Sequence, residues 1–236
     1  MTISPRGWIC IFTSGLFHAF YFWCLGNAYE HGDLSLVYPL ARGFGPLLVP
    51  LLAFWFIHEQ LYFLGMLGIA FILFGIYTIH LKTFSNRALI EPFLLFRGRA
   101  SIWALCTGVT IAGYSIVDKI GVSLVSPPVY IYLMILISWL SLAPYFILTK
   151  RRWFKEEWKI NKGKMLVVGF LDIFTYLMIL FALQVSKVSY VVAVREVSIV
   201  FSSLFGIIRL GDRHGAQRLS GALIIAVGVF LIGLSR

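Results

Sequence analysis

Residues 33–50, DLSLVYPLARGFGPLLVP, are apolar enough to lie in a membrane, yet they carry Arg42, Tyr38 and the prolines Pro39, Pro46 and Pro50. A guanidinium in hydrocarbon costs at least about 2.5 kcal/mol even on the most lenient insertion scale, so it persists only where it faces protein, a partner charge or water. The stretch therefore reads as the lining of a pathway. Pro46 and Pro50, like Pro39, are expected to kink it, because each proline removes an intrahelical hydrogen bond and leaves carbonyls that need partners in protein or cavity water.

The rest of the chain fits the same solvent. Of 236 residues, 60% are hydrophobic and 13% charged, and mean hydropathy is +0.89. A soluble domain carries about 25% charged residues, so this chain cannot cover itself with a polar surface. Twenty Lys and Arg against ten carboxylates give a net charge of +10. That balance does not indicate nucleic acid here, because most of the cations fall between apolar spans, where they set orientation and meet anionic headgroups. Cys10, Cys24 and Cys106 lie within apolar spans with no metal-ligand spacing, and read as small core residues.

A membrane helix needs about 20 apolar residues. On that template spans fall at about 7–28, 34–56, 61–81, 100–121, 128–148, 165–184, 189–208 and 218–235, which makes an all-α polytopic protein of eight helices. The first is too long for a signal-peptide core and is kept. The loops 82–99 and 149–164 are polar and contain no soluble domain. Counting Lys and Arg on alternate sides gives four on the N-terminal side and fourteen on the other, which puts both termini outside by the positive-inside rule. The basic loop 149–164, TKRRWFKEEWKINKGK, interleaves aromatics with cations and reads as a cytoplasmic segment on anionic lipid.

Sliding the first three spans by 154 residues aligns them with the last three: Gly15 meets Gly169, Phe20 meets Phe174, Ala28 meets Ala182, Ser35 meets Ser189 and Val37 meets Val191. A one-residue deletion then brings Gly68 and Gly75 onto Gly221 and Gly228. The offset covers five spans, an odd number, so matched helices run in opposite directions through the bilayer. That is an inverted repeat, with sites expected near the midplane between the halves. The halves are 1–81, with three helices, and 100–236, with five, joined by 82–99. Counterparts of 100–121 and 128–148 are expected before residue 1; either the natural protein has eight helices or the chain begins late.

The segment AYEHGDLSLVYPLARGFGPLL (28–48), the short turn with Glu59 and GMLGIAFILFG (65–75) resemble the first-half signature of EamA-type permeases in the drug/metabolite transporter superfamily. SYVVAVREVSIVFSSLFG (189–206) with GALIIAVGVFLIG (221–233) resembles its repetition, and TGVTIAGYSIVDKIGV (107–122) the helix that opens the second repeat. The resemblance implies two five-helix repeats and transport of small metabolites by alternating access. Against that pattern this chain lacks the first two helices, and the family's usual cytoplasmic termini differ from the charge count.

Polar residues within the spans make the candidate site. Tyr38, Arg42, Gly45 and Val49 share a helix face, as do Arg195, Ser198 and Ser202. Arg42 corresponds to Glu196 under the repeat, so an ion pair between them is expected at the interface of the halves. His18 corresponds to Asp172; with Glu196 these are the candidates for proton coupling. Tyr114 shares a face with Asp118. Asp118 and Lys119, near the end of their span, fit an interfacial salt-bridged or snorkelling role as well as substrate contact. Gly68, Gly75, Gly221 and Gly228 read as close-packing positions.

No nucleotide-binding loop, HExxH, GxSxG or clustered Asp motif occurs, so no enzyme, cofactor or metal is expected. The reading is a secondary transporter, an exporter or exchanger of small polar or amphipathic metabolites in the inner or plasma membrane, with solute and lipid as partners and a homodimer left open. The alternative is a transport-incompetent membrane partner or truncated relic of such a permease.

Overall fold

The computed structural model describes residues 3–32, 34–79, 98–198, 201 and 215–235. These form eight helices in chain order: α1 Pro5–His31, α2 Leu34–Ile57, α3 Phe63–Ile79, α4 Arg99–Leu124, α5 Pro127–Thr149, α6 Arg151–Val185, α7 Val188–Arg195 and α8 Gly215–Leu234. By length and composition α1, α4, α5 and α6 can each cross a membrane, and α2, α3 and α8 contain shorter apolar stretches. The all-helical, multi-spanning expectation is met. Most of the loop expected at 82–99 and the Tyr38 side chain lie outside the described residues.

Local chemistry sets several helix starts. The Ser4 hydroxyl caps α1 by accepting from the Gly7 amide at 3.2 Å, with Pro5 following as a residue that needs no amide partner. Pro127 and Pro128 open α5 in the same way. Residues 39, 46 and 50 are all proline, and α2 continues through them from Leu34 to Ile57.

The inverted repeat is visible where α3 meets α8. A Cβ built on Gly68 would lie 2.6 Å from the Gly228 carbonyl oxygen, one on Gly228 would lie 2.6 Å from that of Gly68, and one on Gly75 would lie 2.8 Å from that of Gly221. The backbones touch, as the glycine spacing predicts. Because 68 meets 228 while 75 meets 221, the matched helices run antiparallel. Around this seam Ile69, Ile72, Ile76 and Ile225 form one buried cluster. A larger one gathers Ile11, Val49, Tyr130, Met134, Leu180 and Val188 from α1, α2, α5, α6 and α7.

One expectation is corrected. The basic segment 149–164 is helical from Arg151, forming the first turns of α6, with a break at Asn161 (φ −118°, ψ 15°). Its Lys, Arg and Glu are good helix formers, and Arg152–Glu156 at 3.3 Å and Asn161–Glu157 at 2.8 Å link successive turns. Of the span expected at 189–208, α7 covers the part up to Arg195, residues 197, 198 and 201 are helical as well, and the rest lies outside the described residues. The Glu196 amide bonds the Ala193 carbonyl, three residues back, so the last turn of α7 tightens. Ser202 lies outside the described residues.

Candidate functional site: a charged cavity between the halves

Helices α1, α2, α4, α6 and α7 line an open cavity of about 560 Å³. Tyr21 and Tyr29 of α1 form one wall, Arg42 of α2 and Thr107 and Ile111 of α4 another. The α6 residues Val168, Leu171, Asp172, Thr175, Tyr176 and Ile179 form the third, and Arg195 and Ser198 complete the lining. The α6 residues recur at three- and four-residue intervals, as one helix face requires.

The ion pair expected from the repeat is present. Arg42 Nε lies 3.5 Å from Glu196 Oε2, with Glu196 almost fully buried, and Arg42 Nη2 donates to Ser198 Oγ at 3.3 Å. Gly45, one turn further along α2, faces Val192, so α2 and α7 also pass each other in opposite directions. Arg195 takes different partners from its neighbour. Its guanidinium carbon lies 5.9 Å from the centroid of the Tyr176 ring.

Asp118 is the largest departure from the expected site. It is fully buried rather than interfacial, and three hydroxyls donate to it: Ser14 and Tyr130 (2.9 Å) to Oδ1 and Tyr176 to Oδ2. These donors come from α1, α5 and α6, so the carboxylate ties three helices to α4. Three donated hydrogen bonds occupy most of the acceptor sites a carboxylate offers. Ser14, Tyr130 and Tyr176 were not anticipated. The four-residue step from Ser14 to His18 and from Asp172 to Tyr176 was the available signal for two of them.

His18 packs into the same cluster, stacked on Tyr114 at 4.2 Å and edge-on to Tyr176 at 5.0 Å. Its Nδ1 lies 2.9 Å from the Ser14 carbonyl, which can only accept, so Nδ1 carries the hydrogen. Nε2 is buried without a hydrogen-bond partner among the described residues. Asp172, the repeat mate of His18, is exposed and lines the cavity.

Away from the cavity, charged side chains fix the junction of α6 and α7. Glu59, in the α2–α3 turn, accepts from the amides of Val188 (2.9 Å) and Ser189 (3.2 Å) at the start of α7. Lys119 donates to the carbonyls of Leu183 (2.6 Å) and Ser186 (2.8 Å) at the end of α6. The negative group meets a helix N-terminus and the positive group a C-terminus, as the helix dipoles favour. At the opposite end Glu30 and Lys150 pair at 2.7 Å, where Lys150 holds the Glu30 carboxyl below its usual range. No group of three or more His, Cys, Asp or Glu able to hold a metal occurs among the described residues.

A family model described as the EamA-like transporter family matches residues 1–81 and 98–234. The chain belongs to the EamA-like transporter family. It is thus a multi-pass membrane transporter of the drug/metabolite type, and its partners are a small solute and the bilayer. A solved structure titled "Crystal structure of protein" superposes on it with a TM-score of 0.71 at 16% identity, covering 99% of this chain and 80% of that one, a likeness of fold. A comparison with curated proteins finds no match.

Proposed function

We propose that this family member is an exporter or exchanger of small polar or amphipathic metabolites, working by alternating access in the inner or plasma membrane. The supporting observation is the cavity between the halves, which is lined by Arg42 and Arg195. Residues 1–81 and 100–236 act as the two halves. Tyr38, Arg42, Tyr114, Arg195, Glu196 and Ser198 serve the solute pathway, with Asp118 holding Tyr176 in its wall. His18, Asp172 and Glu196 are the groups available to carry a coupling proton, and energy comes from an ion or substrate gradient. The test is movement of labelled solutes by the purified protein in vesicles, with and without a pH gradient. Gradient-stimulated flux that falls at least about tenfold in Arg195→Gln supports the reading; absence of flux for every solute rejects it.

A second reading, a transport-incompetent partner, draws on one contrast. A Cβ on Gly15 would meet Ile137 of α5 at 2.7 Å, whereas one on its repeat mate Gly169 would meet nothing within 4 Å. The α6 side of the site is thus more open than the α1 side. Zero flux together with retained folding and membrane insertion favours this second reading.

A further inference from the structure

A second open cavity, also of about 560 Å³, lies between α6 and α8. Its banks are α6, from Thr175 to Ser186, and the end of α8, from Ile232 to Ser235; buried Tyr190 and Val191 of α7 form its floor. Thr175, Ile179 and Arg195 line both cavities, so they are the partition between them. Arg195 turns its charge toward the first: its guanidinium carbon lies 5.9 Å from the ring of Tyr176, which lines that cavity. Its aliphatic stem remains for the second.

This second space is a groove of one leaflet's depth. At 1.5 Å per residue, the rise along α6 from Thr175 to Ser186 is about 17 Å, close to half of the roughly 30 Å hydrocarbon core. Met178, Ala182, Val194 and Ile232 make its walls apolar, and Met178 and Val194 are exposed on it. Water finds too few polar partners there, and vacancy forfeits dispersion contacts. The hydroxyl residues Ser186 and Ser235 mark the mouth.

The mouth is also cationic. Lys187 Nζ lies 5.5 Å from the centroid of the Tyr190 ring and 3.9 Å from that of Tyr62, and it donates to the Gln60 carbonyl. Lys119 donates to the carbonyls of Leu183 and Ser186. Among the described residues neither ammonium has a carboxylate within 4.0 Å, and Glu59, on the same side, is bonded to the amides of Val188 and Ser189. Cations and hydroxyls outside with apolar walls beneath is the order of groups in an anionic phospholipid, read from head to tail.

We propose that the groove binds one acyl tail of an anionic phospholipid from the leaflet on the side of the α6–α7 turn. The phosphate sits at Lys187, and the tail runs along α6 to Thr175 and Arg195, against the partition of the charged cavity. The assignment requires a membrane protein and is independent of whether the chain carries a solute.

The test is titration of the delipidated full-length protein in detergent with phosphatidylglycerol and with phosphatidylcholine of the same tails, read by native mass spectrometry. Phosphatidylglycerol is expected to bind about fivefold more tightly, the effect of one Lys facing an anionic headgroup. Lys187→Gln should remove that preference and leave phosphatidylcholine binding unchanged. A Cβ added at Gly233 meets nothing within 4 Å, so Gly233→Phe fills the groove and should weaken both lipids about tenfold, whereas Gly233→Ala should not. In the unaltered protein, a diazirine midway along the tail should label peptides containing Met178 or Val194, a readout that holds even where a variant fails to fold. Equal binding of the two headgroups, label spread over the outer helix faces, or Gly233→Phe without effect overturns the proposal and leaves annular lipid only. Displacement of the label by a small apolar solute, or by a protein held in stoichiometric amount, overturns it as well, making the groove a solute entrance or a helix-docking face.

Discussion

Helices α1 and α6 occupy matched positions in the repeat, but their surroundings differ. In α1 the face through Ser14, Gly15 and His18 is filled: α5 presses on Gly15, while Tyr114 and Asp118 of α4 meet His18 and Ser14. In α6 the same face, through Val168, Gly169 and Asp172, is exposed, and the helix is held instead by its far end, where Lys119 grips its last carbonyls. The difference teaches that pseudo-symmetry of backbone does not impose symmetry of packing. One copy of the helix is a structural wall, and the other forms one side of a cavity with an ionisable group on it.

The sharpest way to break the comparison is to make the same substitution in both copies. Gly15→Leu must displace Ile137 and the Met134 carbonyl, which a Cβ alone would approach to 2.7 Å and 3.0 Å. Overpacking of that kind costs about 1–3 kcal/mol, and the backbone contact puts this case at the upper end. Gly169→Leu meets open space. It should be neutral within about 0.5 kcal/mol, or slightly stabilising through helix propensity. Thermal unfolding of the two variants in one detergent measures the difference; equal losses would show that the Gly169 face is covered in the folded protein.

That asymmetry was not legible in the sequence, although the repeat was. Offset arithmetic placed Arg42 opposite Glu196, because a pseudo-two-fold axis converts a spacing into a contact, and glycine spacing marked α3 and α8 for close packing without naming the partner of either. It could not find the Asp118 cage, whose donors are drawn from three helices with no local pattern among them. Hydropathy misjudged 151–164 for a different reason: it reports whether a segment enters lipid, whereas helix formation depends on propensity, and Lys, Arg and Glu are favourable for helix and unfavourable for lipid.

A smaller effect is expected at the clamped end of α6. Lys119→Met keeps the length of the side chain and removes the ammonium that bonds Leu183 and Ser186. Each such hydrogen bond contributes about 1 kcal/mol net, so a loss of about 1–2 kcal/mol is expected. The more informative readout is labelling from the N-terminal side by a membrane-impermeant thiol reagent, using a cysteine at Thr175 in a background without Cys10, Cys24 and Cys106. If the clamp closes that end of the cavity, Lys119→Met should speed labelling; an unchanged rate would reduce Lys119 to a helix-capping role.

The smallest effect lies at the other end of α1, where Glu30 pairs with Lys150 at the junction of α5 and α6. Both groups reach solvent, so solvent screens the pair and its contribution is slight. Its pH dependence nevertheless has a definite sign. Lys150 holds the folded-state carboxyl of Glu30 below its usual value, so the unfolded chain binds the proton more readily. The stabilisation is fully present above the unfolded carboxyl pKa and is lost as pH falls through the lower, folded value. Glu30→Gln should leave the slope of stability unchanged near neutrality and reduce it across the acid carboxylate range, with added salt bringing the parent protein toward the variant. A variant that instead changes stability equally at every pH would show that Glu30 holds α1 by packing, and that the charge on Lys150 plays no part in fixing the filled copy of the helix.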